Sequence, residues 1–219
     1  MEKIFRTAQD PISCATHAAA AAASLGGGFV FLWWAVRQGS TTASLAAAMC
    51  FCLSLVALYS ASALYHYYPG DALAAGAKRR LRKLDHSMIY LLIAGSYTPF
   101  CVALLPSEKG LPFCGALWVI AICGVVLKMF WLNAPRLLST LLYLAMGWSV
   151  LFVIRDFDRS CVPCLALCAL GGVMYTAGAV LYALKRPNIR PGFGFHELFH
   201  LLIMAGSVCH YLAVLFFVL

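Results

Sequence analysis

Apolar residues in this chain come in long, nearly unbroken runs, and polar residues crowd into the short gaps between them. Seven runs stand out, at about 13–36, 43–66, 84–105, 113–132, 137–154, 162–184 and 195–218. A helix needs ~20 apolar residues to cross a bilayer. The pattern therefore predicts an all-α, polytopic membrane protein with seven transmembrane helices. Residues 1–12 form a short lead of mixed charge, and 13–219 form a single seven-helix domain with no soluble domain left over. Six consecutive alanines, Ala18 to Ala23, mimic a signal peptide, but the apolar stretch runs on through Trp33 and Trp34, long enough to span. Those tryptophans suit the outer membrane interface.

Composition agrees. The 219 residues are 63% hydrophobic and 11% charged, against roughly 25% charged in an average soluble domain. The formal net charge of +8 does not point to nucleic acid, because the basic residues sit in loops, where they set orientation. Twelve of the sixteen Lys and Arg flank the N-terminal side of the membrane: Lys3 and Arg6, the Lys78–Lys83 cluster, Lys128 and Arg136, and Lys185, Arg186 and Arg190. The positive-inside rule then places the N-terminus in the cytoplasm and Leu219 outside, in the cell membrane. The loop from Pro69 to Lys83 is expected to lie along the inner surface, touching anionic headgroups at ~1 kcal/mol per basic residue. Most of the ten cysteines lie singly in apolar runs, where a free Cys behaves as a small hydrophobe. Cys161 and Cys164 make a C-x-x-C pair, a weak signal without a second pair.

The chemistry lies in the few polar residues left inside the runs. His196 and His200 open the seventh run at i and i+4, on one face of a helix. Placing imidazoles and a carboxylate in a membrane segment is expensive, and a divalent metal would offset that cost. Ser62 and His66 are likewise i and i+4 at the end of span two, and Asp85 opens span three. Span two ends inside, while spans three and seven begin there. Ser62, His66, Asp85, His196, Glu197 and His200 therefore all fall within ~1–2 helical turns of the cytoplasmic face. Three imidazoles with one open position make a catalytic zinc set, so His66, His196 and His200 are the candidate ligands of Zn2+. An all-imidazole set favours zinc over iron or manganese. Zinc brings the pKa of a water it holds toward ~7; Asp85 would accept or orient that water's proton, and Ser62 would hydrogen-bond nearby.

The other polar residues read as structural. His17 and His210 are expected to be hydrogen-bonded packing residues, and His86, ~100° round the helix from Asp85, a packing or supporting residue. Lys128 is expected to snorkel. Gly95 and Pro99 suggest close helix contact and a kink. Gly171, Gly172, Ala177 and Gly178 give span six the composition of a tightly packed interior helix.

Ser62-x-x-x-His66, Asp85 at the head of span three and His196-x-x-x-His200 at the head of span seven together resemble the hemolysin III family, within the progestin and adipoQ receptor superfamily. Residues 84–99, Leu-Asp-His-Ser-Met-Ile-Tyr-Leu-Leu-Ile-Ala-Gly-Ser-Tyr-Thr-Pro, and 206–211, Gly-Ser-Val-Cys-His-Tyr, are also similar to it. The resemblance covers nearly the whole chain. It implies seven helices, an inward N-terminus, zinc held by His66, His196 and His200, and Asp85 holding the zinc's water. Adiponectin-receptor relatives are associated with ceramide hydrolysis, and the name hemolysin with cytolysis. The expected function is thus a zinc-dependent amide or ester hydrolase whose partners are membrane lipids.

Two rival readings stand beside it. His196-Glu197-Leu198-Phe199-His200 is literally H-E-x-x-H, the zinc metalloprotease pattern, in which Glu197 would be the general base. A non-enzymatic, zinc-stabilised protein acting on lipid order or permeability is the other.

Overall fold

A computed structural model describes residues 8–69, 75–157 and 161–219. Among them are seven α-helices: α1 Pro11–Gln38, α2 Thr42–Tyr67, α3 Ala75–Ala103, α4 Ser107–Phe130, α5 Arg136–Gly147, α6 Val162–Leu184 and α7 Phe195–Phe217. Six spans are long and apolar enough to cross a membrane, one of them the combined segment Arg136–Asp156. The exception is α3. Its first turns carry the basic cluster Lys78 to Lys83, and its inner half carries Asp85, His86 and Ser87. Helix α3 also begins earlier than the apolar pattern suggests, so much of the expected surface loop is helical. Ala, Lys, Arg and Leu, which fill residues 77–84, are all strong helix formers.

Local signals set the ends. Pro11 starts α1, and Gly39, in the left-handed region at φ 68°, closes it with its N–H on the Ala35 carbonyl. Thr41 caps α2 by accepting the Ser44 N–H at 3.1 Å. Between α6 and α7 lies a small hairpin, β1 Asn188–Arg190 and β2 Phe193–Gly194, paired antiparallel.

Helices α1 to α4 pack in chain order, α7 packs on α6 and returns against α1, and α3 also touches α5 and α7. The apolar side chains left outside are those of a lipid-facing surface: Phe130 is 88% exposed and Phe152 86%. Close approaches rest on small residues. A Cβ at Gly95 of α3 would lie 2.4 Å from the Ser54 hydroxyl of α2, and one at Gly171 of α6 would lie 2.4 Å from the His210 ring of α7. In α6 the small residues serve one face only: Cys164, Gly171 and Gly178 are buried, whereas Val173 and Val180 remain exposed. Span six is therefore peripheral, with a tight seam against α7, and not the interior helix its composition suggested.

The fifth span is not one helix. After Gly147 it tightens into 3-10 turns at Trp148–Phe152 and Ile154–Asp156. Tyr97 of α3 supports the change: its hydroxyl donates to the Gly147 carbonyl at 2.5 Å and accepts the Val150 N–H at 2.9 Å. Backbone groups released from a helix at membrane depth need such partners. Because α5 leans on α6 and α3, a cavity of about 340 Å³ remains inside the bundle.

Candidate metal centre

Three helix ends meet at one end of this bundle: the start of α1, the finish of α2 and the start of α7. His66 lies in the last turn of α2 and His196 and His200 in the first two turns of α7. One donor nitrogen from each ring lies within 4.8 Å of the others. The Nε2 atoms of His66 and His196 are 3.2 Å apart, and the ring centroids of His66–His196, His66–His200 and His196–His200 are separated by 5.0, 5.1 and 4.5 Å. The two rods carrying these rings thus converge.

The donor set fits zinc. Tetrahedral coordination at ~2.0–2.1 Å puts ligand nitrogens about 3.4 Å apart. His66 and His196 are already near that spacing, and the His200 donor lies within 4.8 Å of both. His200 is buried, and its Nδ1 has no hydrogen-bond partner among the described residues. A buried, unsatisfied ring nitrogen is costly.

Asp10, one of the charges of the N-terminal lead, is part of this centre. Its carboxylate accepts the Nδ1–H of His66 at 2.9 Å, leaving Nε2 as the lone-pair nitrogen facing His196. That hydrogen bond holds the Asp10 carboxyl below its ordinary value of 3.8, against the opposing effect of partial burial. The backbone reinforces the contact, because the Asp10 N–H donates to the His66 carbonyl at 3.1 Å. A carboxylate beside Pro11, at the head of a span whose depth matches that of His66, was the available signal.

His17 differs from the reading as a hydrogen-bonded packing residue. It stacks on His200 with centroids 3.7 Å apart and meets Tyr59 edge-on at 5.0 Å. Neither of its buried ring nitrogens has a partner among the described residues. His210 does conform: its Nδ1–H donates to the Gly206 carbonyl at 3.0 Å, and the ring stacks on Tyr175.

Ser62 and Asp85 line the cavity together with His17, His196 and His200. His86 Nε2 is 4.0 Å from Asp85 Oδ2. Glu197 is placed otherwise. One carboxylate oxygen accepts the Gly194 N–H at 2.8 Å, and the other accepts the Ser13 hydroxyl at 3.1 Å. It caps α7 and ties it to α1, so both oxygens are already engaged.

A multi-pass helical bundle with a buried histidine cluster at one end is the class these features define. The family model described as haemolysin-III related matches residues 5–211, and the chain belongs to that family. A "Hemolysin-3 homolog" of Bacillus subtilis (strain 168) is 33% identical over 168 residues, covering 76% of this chain and 75% of the relative. A "Hemolysin-3" of Bacillus cereus is 29% identical over 225 residues, covering 100% of this chain and 97% of the relative.

Proposed function

We propose that this protein is a zinc-dependent hydrolase acting on an amide or ester bond of a membrane lipid. The observation that carries the reading is the convergence of His66, His196 and His200, with donor atoms within 4.8 Å, at a cavity that also presents Asp85 and Ser62. Zinc, when bound, supplies a Lewis acid and a water that loses its proton near neutral pH. The chain's own residues do the rest. Asp10 fixes the tautomer of His66. Asp85 takes up a proton at its carboxylate, and Ser62 holds that carboxylate in one orientation. The apolar walls exclude bulk water and accept an acyl chain. From His196 to His210 along α7, the cavity lining extends ~21 Å, most of the ~30 Å hydrocarbon depth of a bilayer. The charge asymmetry of the loops supports a centre on the cytoplasmic side of the cell membrane.

The test is hydrolysis of a short-chain ceramide (amide) and of a short-chain diacyl phospholipid (ester) by detergent-purified protein. Turnover abolished by chelation, restored by zinc and absent from His196→Ala supports the reading. The relatives' name, hemolysin, favours a second reading, a non-enzymatic zinc-stabilised protein that alters permeability. Full zinc content with no turnover on either substrate, together with dye release from vesicles, would support that one.

A further inference from the structure

The wall of the cavity is not uniformly apolar. At the end nearest the histidines it carries Arg82 of α3, Lys128 of α4 and Arg136 at the start of α5. Lys128 does not snorkel. It is 1% exposed, and its ammonium turns inward to donate to the Ser139 hydroxyl at 2.6 Å, leaving two further N–H groups. Arg136 is held in place by its Nη1 donating to the Tyr182 carbonyl at 3.1 Å, with its guanidinium 4.5 Å from the Tyr182 ring centroid. Among the described residues none of the three cations has a carboxylate within ion-pair distance. Asp85 lines the same mouth and supplies one negative charge against three positive ones.

A buried ammonium without a counter-ion is costly inside a membrane protein. Bundles keep such groups where an anion visits. We infer that Arg82, Lys128 and Arg136 form an anion-binding subsite for the phosphate headgroup of a lipid whose acyl chain enters the apolar cavity. The inference deepens the lipid-hydrolase reading by naming the substrate class, and rests on it only for the placement of the chain. The guanidinium groups suit a phosphate's oxygens. Lys128, deeper in the wall, supplies a point charge.

The experiment measures binding of dioctanoyl phosphatidylglycerol, dioctanoyl phosphatidylcholine and inorganic phosphate to zinc-loaded protein in neutral detergent, by native mass spectrometry. The inference predicts that the anionic lipid binds about tenfold or more tightly than the zwitterionic one, and that Lys128→Gln and Arg82→Gln each reduce that preference to about threefold or less. Phosphate that displaces the lipid at micromolar concentration would identify the free ion as the ligand. Displacement only at high millimolar concentration identifies the lipid headgroup. If Lys128→Gln does not fold, the more exposed Arg82→Gln decides. Equal binding of the two lipids, or a preference unchanged in Arg82→Gln, overturns the subsite. Zinc content, measured on the same samples, separates the two readings: zinc retained without anion preference sinks the subsite alone, and anion preference without zinc sinks the hydrolase alone.

Discussion

Asp10→Ala probes the metal centre without touching a proposed ligand. The Asp10 carboxylate holds His66 through a 2.9 Å hydrogen bond to Nδ1. Losing it frees the ring to rotate and to swap tautomer, so that Nε2 no longer faces His196 as a lone pair. Removing the outer partner of a metal-bound histidine typically costs 10–100-fold in metal affinity, or ~1.4–2.8 kcal/mol. The Asp10 side chain is 42% exposed, so solvent screens its charge, and the lower end applies: about tenfold, ~1.4 kcal/mol. Asp10→Asn keeps an acceptor but not the charge and should fall between. The assay is competition for zinc with a chelator of known affinity, in detergent, with helical content checked by circular dichroism. A folded Asp10→Ala protein that holds zinc as tightly as wild type would refute the reasoning.

Three further outcomes follow from specific contacts. Glu197→Gln, which keeps the Gly194 contact but weakens the tie to Ser13, should retain zinc and keep hydrolysis within about threefold; a loss of the ~10²-fold or more expected for a general base would restore the metalloprotease pattern. Asp85→Asn should retain zinc while lowering turnover by ~10²–10⁴-fold, and unchanged turnover would remove Asp85 from the mechanism. Tyr97→Phe leaves the Gly147 carbonyl and the Val150 N–H without their partner; it should destabilise the fold by ~1–3 kcal/mol, read as a lower thermal midpoint in detergent, and an unchanged midpoint would show that the break in span five needs no such support.

The parts of this architecture written in single-residue periodicity were legible in advance. Seven apolar runs give seven helices, and the i, i+4 spacing of His196 and His200 places two rings on one face. Alternation of span direction then brings His66 to the same depth. Lateral contacts were not legible, because they depend on which helix neighbours which. Asp10 reads as one charge in a lead until α1 packs on α2 and its backbone pairs with that of His66. His17 reads as a lone histidine until α7 returns against α1 and stacks His200 on it. Lys128 sits near a helix end, where snorkelling is the usual solution; only the placement of Ser139 across from it turns it inward. The break after Gly147 has its cause on another helix, in the Tyr97 hydroxyl. Glu197 shows the converse: a motif complete in sequence whose carboxylate is spent on capping a helix.

The most direct measurement is the metal content of protein purified from zinc-replete cells without added chelator, by inductively coupled plasma mass spectrometry, beside His66→Ala, His196→Ala and His200→Ala. The proposed centre predicts close to one zinc per wild-type chain and a sharp loss in each variant. Wild-type protein free of transition metal, or variants that keep their zinc, would contradict it.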